Sequence, residues 1–236
     1  MIIYGINPVR ESLRSHPERI RFIAVARDQS ARHQHLIAEA KRAGVSVRSV
    51  PATQIEQLAR GAVHNGVAAE LSGASFVEVD AAIESGATFV LILDGITDPQ
   101  NFGAILRVAD GFGVDLVIIS QHGSAGLTPA AVKASAGASE WVRMAQVTNL
   151  SRAIETLQRA AFWVYGAGSG GDRPDAIDFR GKVAIVLGSE GKGIRRNVLE
   201  HCDRAVTISM SGHVESLNVA TAAAALCYEV ARQNGR

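Results

Sequence analysis

The sequence predicts an α/β protein with a mostly parallel sheet covered by helices, preceded by a smaller α/β module. Short aliphatic runs recur along the chain, and such runs are typical of strands that are buried on both faces. Segments with helical spacing of apolar residues lie between these runs, and this alternation is characteristic of parallel sheets. The 47% hydrophobic and 20% charged shares of the 236 residues indicate a globular chain with ample core.

The beginning of the chain predicts the smaller module. We expect its strands at 2–4, 20–26, 45–50 and 66–71, and its helices at 8–14, 31–42 and 53–58. Residues 72–86 are rich in small and acidic side chains and have weak periodicity. The predicted organisation is therefore a domain at 1–72, a linker at 73–86 and a second domain at 87–236.

The two predicted domains differ in charge. Residues 1–72 contain 10 Lys and Arg against 6 Asp and Glu, whereas the remainder contains 14 against 17. A basic surface suits contact with phosphates, although the excess is modest and an ordinary solvated face explains it equally well. The basic residues are Arg10, Arg14, Arg19, Arg21, Arg27, Arg32, Lys41, Arg42, Arg48 and Arg60.

The second domain predicts five strands and several helices. The strands are expected at 89–93, 116–119, 162–165, 183–187 and 205–208, with one helix beginning near Gln100 and the last running from 217 to about 232. The last helix is rich in Ala and almost uncharged before Glu229. Because it is apolar nearly all round, we expect it to be buried.

Unusual polar loops follow three of these strands, namely TDPQN, GSEGKGI and SMSGHVESLN. Ligands of open α/β sheets bind beyond the carboxyl ends of the strands, so these loops form a candidate site. The glycines of the second loop allow the backbone to approach a ligand closely. Glu190 lies in the middle of that loop, and its alternative role is to cap a helix beginning near Ile194. Ser216 is predicted as the N-cap of the last helix, and Asn218, in its first turn, needs hydrogen-bond partners.

Several other classes are not favoured. Gly166, Gly168 and Gly171 fit the dinucleotide pattern G-x-G-x-x-G, but no helical pattern follows them, so NAD binding is not expected. Cys202 and Cys227 lack the spacing of a disulfide framework or a metal site. No apolar run is long enough to cross a membrane and the first residues do not resemble a signal peptide, so a cytoplasmic protein is expected.

The three loops resemble, in order and spacing, the three motifs of the SpoU (TrmH-like) class of SPOUT methyltransferases. The matching stretches are TDPQNFGAILRVADGFG, VLGSEGKGI and ISMSGHVESLNVATAAAALCYE. The resemblance implies methyl transfer from S-adenosyl-L-methionine to a ribose 2′-hydroxyl of tRNA or rRNA. IYGINPVRESL and GAVHNGVAAEL resemble the ends of the ribosomal-protein-like RNA-binding domain of a branch that methylates a guanosine of 23S rRNA. That branch is favoured; the alternatives are a tRNA enzyme of the same class and a non-catalytic RNA-binding or ribosome-assembly factor.

The resemblance also implies a C-terminal domain tied in a trefoil knot, and a homodimer with its active site at the subunit interface. S-adenosyl-L-methionine would be held in the knot largely by backbone groups of Gly188, Ile208 and Leu217. Gly191 and Met210 would lie beside it.

The resemblance assigns the catalytic role to Arg107. A guanidinium stays protonated in proteins and therefore cannot accept a proton as a general base, so we expect it to act electrostatically on the alkoxide or on the adjacent phosphate. Its alternative is an ordinary exposed arginine on a surface helix. Asn101 would orient Arg107 or bond the nucleotide, and Glu190, Ser216 and Asn218 would complete the pocket. No metal is expected, because a sulfonium leaving group needs no Lewis acid.

Overall fold

A computed structural model describes residues 1–73, 76–214 and 216–236 of the chain. Its strands are β1 Ile2–Tyr4, β2 Ile20–Ala26, β3 Val47–Val50, β4 Val67–Leu71, β5 Phe89–Asp94, β6 Leu116–Ser120, β7 Met144–Val147, β8 Trp163–Asp172, β9 Val183–Gly188 and β10 Arg204–Val206. Its α-helices are α1 Ile6–Ser15, α2 Gln34–Arg42, α3 Ala52–Ala59, α4 Val79–Glu84, α5 Pro99–Gly111, α6 Pro129–Ala134, α7 Leu150–Arg159, α8 Arg196–Leu199 and α9 Val219–Gln233. Within the described residues no helix has the length and apolarity needed to span a bilayer.

The chain divides into two compact units. The first contains the described residues up to Gly73 together with Leu127–Trp141, and the second contains 76–126 with Val142–Arg236. The segment 127–141 was predicted to belong to the second domain. This prediction was wrong, because the segment belongs to the first unit. The physical reason is Val132 of α6, which is buried in the core of the first unit beside Ile3 and Val9.

The first unit contains a four-stranded sheet in the order β1-β4-β2-β3. β4 runs antiparallel to β1 and β2, while β2 and β3 are parallel. One core cluster joins this sheet to α1 and α2 through residues such as Leu13 and Leu36. A second cluster, containing Ile55 and Ala59 of α3, packs on Tyr4 and Val50. The strands and helices predicted for the beginning of the chain are all present, with ends shifted by up to three residues.

The second unit contains a six-stranded sheet in the order β10-β8-β9-β5-β6-β7, in which every neighbouring pair is parallel. This confirms the predicted α/β class. All six residues of the central strand β5 are buried; the apolar residues 89–93 predict this, whereas the burial of Asp94 was not predicted. α9 packs against α5 and β9, whereas Ile154 of α7 and Val79 of α4 belong to another core cluster of this unit.

Some predictions for the second unit were wrong. β7 was not predicted, and β8 continues through the glycine-rich stretch to Asp172 instead of ending near 165. The predicted linker contains α4, whose Val79 and Ala82 are buried in the core of the second unit; Ala74 and Ser75 of that linker lie outside the described residues. The expected burial of the last helix holds for one side only, because Tyr228 is 56% exposed and Ala225 is also exposed.

Candidate active site

A cleft of about 810 Å³ opens beyond the carboxyl ends of β9 and β10 and beside the middle of β8. This volume lies within the range of about 300–1,000 Å³ that is usual for small-molecule sites. The cleft is lined by Ala167, Gly168, Ser169, Leu187, Gly188, Ser189, Glu190, Gly191, Gly193, Val206, Thr207, Ile208, Met210, Ser216, Leu217, Asn218, Val219 and Ala222. Two of the three predicted loops therefore form its walls, together with the middle of β8.

The loop after β9 is folded tightly back on itself. Ser189 and Gly193 exchange backbone hydrogen bonds, with N···O distances of 3.2 and 2.8 Å. A Cβ added at Gly188 would overlap the backbone of Gly193 and Ile194, so only glycine fits there. Gly191 has φ +82°, which also favours glycine. The consequence is a wall of bare backbone N–H and C=O groups on this side of the cleft.

Three side chains from the three predicted loops meet in one hydrogen-bonded cluster. Asn101 Nδ2 and Asn218 Nδ2 donate to Glu190 Oε1 at 3.1 and 2.7 Å. Asn218 Nδ2 also donates to Asn101 Oδ1 at 2.8 Å, so both of its amide protons are used. We call Asn101, Glu190 and Asn218 the polar triad. Its members are separated by up to 117 positions in the sequence, and the shared sheet edge brings them together.

Helix caps hold two members of the polar triad. Asp98 caps α5 by accepting the backbone N–H groups of Gln100 and Asn101 at 3.2 and 3.1 Å, which orders the first turn containing Asn101. Asn218 is the N-cap of α9, and its Oδ1 accepts the N–H groups of Ala220 and Thr221.

The prediction that Ser216 caps the last helix was therefore wrong. Serine and asparagine are comparable caps, and the bonds of Asn218 to the other loops decide between them. Ser216 lines the cleft and has no hydrogen-bond partner in the part of the chain that the structure describes. Glu190 does not cap the helix near Ile194, as the alternative role required. It accepts instead from the first N–H of α9, that of Val219, at 3.4 Å.

Arg107 lies apart from the polar triad. It is exposed on α5, about 240° round the helix from Asn101 at about 100° per residue. Its side chain has no hydrogen bond or ion pair with any described residue, and it does not line the cleft. The amide of Asn101 is engaged by Glu190 and Asn218, so the expected pairing of Asn101 with Arg107 does not occur within one chain.

The residues predicted to contact a cofactor all line the cleft. These are Gly188, Gly191, Ile208, Met210 and Leu217. Of the residues predicted to act in catalysis, Glu190, Ser216 and Asn218 line it, whereas Asn101 and Arg107 do not.

Sequence reasoning missed the wall contributed by β8. Thr207 Oγ1 donates to the carbonyl of Gly168 at 2.6 Å and accepts the N–H of Gly171 at 2.7 Å. A Cβ at Gly171 would overlap the backbone of Ala205, so the two segments are in close contact. The glycines were rejected as a dinucleotide motif, and they do belong to a strand rather than to a loop that opens a helix. Their density within a strand was the available signal of a close backbone approach.

Asp94 was also missed. It ends β5 with a fully buried carboxylate that accepts the Nε and the backbone N–H of Arg195, both at 2.7 Å. The local sequence Asp94-Gly95 indicates only a turn. A charged residue directly after a buried strand was the signal that a distant partner was needed.

The two cysteines are not reactive groups of this site. Burial raises the pKa of the Cys227 thiol to about 12, and burial together with the charges of Asp203 and Asp94 raises the pKa of the Cys202 thiol to about 12. Both are therefore protonated thiols at neutral pH. Among the described residues, no group of three or more His, Cys, Asp or Glu side chains is arranged to hold a metal ion.

Comparison with known proteins identifies the family. Residues 88–228 match the SpoU rRNA Methylase family, and residues 2–77 match the family described as RNA 2′-O ribose methyltransferase substrate binding. The 23S rRNA (guanosine-2′-O-)-methyltransferase RlmB of Yersinia pestis is 41% identical over 241 residues, covering 99% of this chain and 98% of the relative. The protein of the same name from Pseudomonas syringae pv. tomato is 39% identical, with 98% and 95% coverage.

Solved structures agree with this result. A protein described as a TrmH-family RNA methyltransferase from Porphyromonas gingivalis has a TM-score of 0.76 at 29% identity, covering 99% of this chain and 90% of that one. The SpoU methyltransferase AviRb of Streptomyces viridochromogenes, solved with AdoMet, shares the fold with a TM-score of 0.80 at 22% identity, and the match covers 99% of this chain and 89% of AviRb. A match over most of the second unit, together with relatives of about 40% identity along the whole chain, leads to one conclusion: the chain belongs to the SpoU rRNA methylase family.

Proposed function

We propose that this protein transfers a methyl group from S-adenosyl-L-methionine to the ribose 2′-hydroxyl of a guanosine in 23S rRNA. The observation that carries the proposal is the glycine-walled cleft with the polar triad at its rim, built from the three loops of the family. Relatives of 41% and 39% identity that carry this activity in their names support the choice of reaction and substrate.

The cleft suits S-adenosyl-L-methionine. Gly188 and Gly191 contribute backbone to the cleft wall, while Ile208, Met210 and Leu217 offer apolar surface. When bound, this cofactor supplies a methyl group activated by its sulfonium charge. The tight closure of the loop at Gly188 keeps the backbone groups fixed, so little conformational entropy is lost on binding.

The polar triad positions the nucleotide. Oε1 of Glu190 already accepts from Asn101, Asn218 and the Val219 N–H, so this oxygen is occupied in holding the loops together rather than in receiving a proton. Ser216 lines the cleft, its hydroxyl has no partner among the described residues, and it is available to bond the ribose.

Arg107 acts electrostatically. Its guanidinium stays protonated and stabilises the developing alkoxide, or grips the adjacent phosphate, which then receives the proton. Arg107 does not line the cleft of its own chain. It therefore acts on a nucleotide bound at the cleft of a second chain.

A homodimer therefore forms part of the proposal. α9 has an apolar side that its own chain leaves exposed, with Ala225 and Tyr228 on it, and α5, on which Arg107 is exposed, packs beside it. Burying this side against a second copy removes apolar surface from water. We also propose the trefoil knot of the class, which the match to the SpoU rRNA Methylase family supports.

The first unit is proposed to bind the rRNA. Its match to a substrate-binding family and the basic excess within residues 1–72 support this role. A cytoplasmic location follows from the substrate.

The experiment is incubation of the purified protein with labelled S-adenosyl-L-methionine and either 23S rRNA or bulk tRNA. We expect label in 23S rRNA, at a ribose of guanosine. Label confined to tRNA would favour a tRNA enzyme of the same class. No label in any RNA, with RNA binding retained, would favour a non-catalytic assembly factor.

Arg107→Ala tests the catalytic assignment. We expect methylation to fall by at least about a hundredfold, the loss typical of removing a group that stabilises transition-state charge, while cofactor affinity stays unchanged. Arg152→Ala is the matched control, because Arg152 is exposed on α7 and its side chain has no partner in the described parts of the chain. Equal losses of cofactor affinity and methylation in Arg107→Ala would show a structural role instead.

A further inference from the structure

Asp94 is a buried carboxylate without a role in the mechanism above. Its side chain has no solvent exposure, and it does not line the cleft. A buried charge is retained only where it is paired and hydrogen-bonded. Here the pairing is complete: Oδ1 accepts Arg195 Nε and Oδ2 accepts the Arg195 backbone N–H, each at 2.7 Å.

Both ends of one loop are attached to Asp94. Gly188, where the loop begins, is paired with Asp94 in the parallel register of β5 and β9. Arg195, where the loop ends just before α8, is held by the Asp94 side chain. We call residues 188–195 the closed loop. Asp94 therefore fastens the closed loop at its two ends.

The middle of the closed loop contains Glu190, which bonds Asn101 and Asn218. The same loop supplies Gly188 and Gly191 to the cleft. Any rotation of the closed loop about its ends would move the Glu190 carboxylate and both glycines together. A misplacement of about 1 Å at such a site is enough to reduce a reaction rate strongly.

We propose that Asp94 is a positioning residue for methyl transfer: its two bonds to Arg195 fix the closed loop so that Glu190 meets Asn101 and Asn218 while the glycines form the cleft wall. The proposal rests on the proposed function and deepens it. Asp94 contacts neither substrate nor cofactor and acts through Arg195 and the closed loop.

Asp94→Asn tests the proposal in the full-length protein. Asparagine has the same shape, but it has one oxygen and an NH2 group that would face a donor of Arg195. We expect the dissociation constant for S-adenosyl-L-methionine to rise on the order of tenfold, from the loss of a charge-assisted bond, and kcat to fall as well. Without cofactor, hydrogen exchange at the Gly193 amide, which bonds the carbonyl of Ser189, should accelerate.

A double-mutant cycle separates positioning from general destabilisation. If Asp94 acts through Glu190, then Asp94→Asn should have a much smaller effect on kcat in a Glu190→Gln background than in the unsubstituted protein. Fully additive effects would overturn the proposal.

Asp115→Asn is the matched control. Asp115 also pairs with an arginine, Arg236, and accepts the backbone N–H groups of Thr88 and Phe89, but it does so at the opposite end of β5. We expect this variant to lower stability while leaving cofactor affinity and kcat per folded molecule unchanged. The proposal fails if Asp94→Asn behaves in the same way.

Arg195→Lys provides a second variant should Asp94→Asn not fold. Lysine keeps the positive charge that the buried carboxylate requires but loses the Nε–H donor of arginine, and the backbone N–H bond to Asp94 remains. The expected change has the same direction and a smaller size, and unchanged cofactor affinity together with unchanged Gly193 exchange would contradict the proposal. If the unsubstituted protein methylates no RNA, the proposed function fails, whereas cofactor affinity and hydrogen exchange still decide the role of Asp94.

Discussion

Glu190 shows how much a single side chain contributes to the assembly of the site. One of its oxygens joins the loop after β9, the first turn of α5 and the start of α9. The sequence identified Glu190 as unusual because it lies in a glycine-rich turn, but could not choose between a helix cap and a site residue. That choice depends on Asn101 and Asn218, which are far from Glu190 in sequence but bonded to it in space. A local sequence pattern does not show which distant residues meet in the fold.

Glu190→Gln should preserve the fold and weaken the polar triad. The amide keeps an acceptor oxygen but loses the negative charge, and a hydrogen bond to a charged group contributes about 1.5–3 kcal/mol. We expect kcat/KM for 23S rRNA to fall by roughly tenfold to a hundredfold. The control is Lys192→Ala, in the same loop, where the exposed side chain has no partner among the described residues. Unchanged kinetics in Glu190→Gln would show that the triad has no part in the reaction.

The stability of the fold should depend on pH through Glu140, in the first unit. Burial raises the pKa of its carboxyl above the ordinary value, more than the charge of Arg19, 3.7 Å away, lowers it. The folded state therefore binds the Glu140 proton more tightly than the unfolded state does. The protonated carboxyl stabilises the fold below its ordinary pKa, and this stabilisation is lost as the pH rises through the pKa of the folded state.

Glu140→Gln should remove this pH dependence. The free energy of unfolding of the variant, relative to the unsubstituted protein, should be higher at about pH 7 than at about pH 4. Urea denaturation at both values measures it. A relative stability that is lower at the higher pH would show that the ionised carboxylate is stabilising in the fold.

At the scale of elements, predictions succeeded where local sequence and burial agree. β5 and β9 are apolar apart from their last residues, Asp94 and Gly188, and form the centre of the sheet. α9 was predicted from its composition, but its start was misplaced by two residues because Ser216 and Asn218 are both good caps. β7 was missed because its sequence MAQV is too short for a clear period.

Gly188, in the closed loop, tests whether this loop forms the wall of the cofactor site. Gly188→Ala would place a Cβ within the backbone of Gly193 and Ile194, so the loop must shift. We expect the free energy of unfolding to fall by about 1–3 kcal/mol and S-adenosyl-L-methionine binding to be lost. Calorimetric titration and denaturation measure the two effects. Gly126→Ala is the control, because its added Cβ meets nothing within 4 Å. Normal cofactor affinity in Gly188→Ala would show that this wall does not form the binding site.

At the scale of the whole molecule, the sequence predicted two domains but not their membership. The segment Leu127–Trp141 belongs to the first unit, although it lies in the middle of the second in sequence. Its apolar residues indicate that α6 is buried, but nothing in a local pattern tells which core receives Val132. Deleting residues 1–72 would therefore expose Val132, so substitutions test the role of the first unit better than truncation.

Exposed arginines of the first unit test its proposed role in RNA binding. Arg27, Arg32 and Arg60 are exposed and have no ion pair within the described residues. Replacing all three by glutamate should weaken 23S rRNA binding and reduce the slope of log K against log salt by about one for each phosphate that the protein no longer neutralises, with cofactor affinity unchanged. Filter binding at several salt concentrations measures both. The control replaces Arg14 and Arg21, which are already paired with Glu11 and Glu70. Equal weakening per reversed charge in both variants would show an effect of net charge alone.

A crystal structure with S-adenosyl-L-methionine would show whether the loops after β5, β9 and β10 form one methyl-transfer site. We expect the cofactor in the cleft, against the backbone of Gly188, Ile208 and Leu217, with Asn101, Glu190 and Asn218 still joined at its rim. Cofactor bound elsewhere on the chain, or a polar triad separated in the complex, would contradict that arrangement.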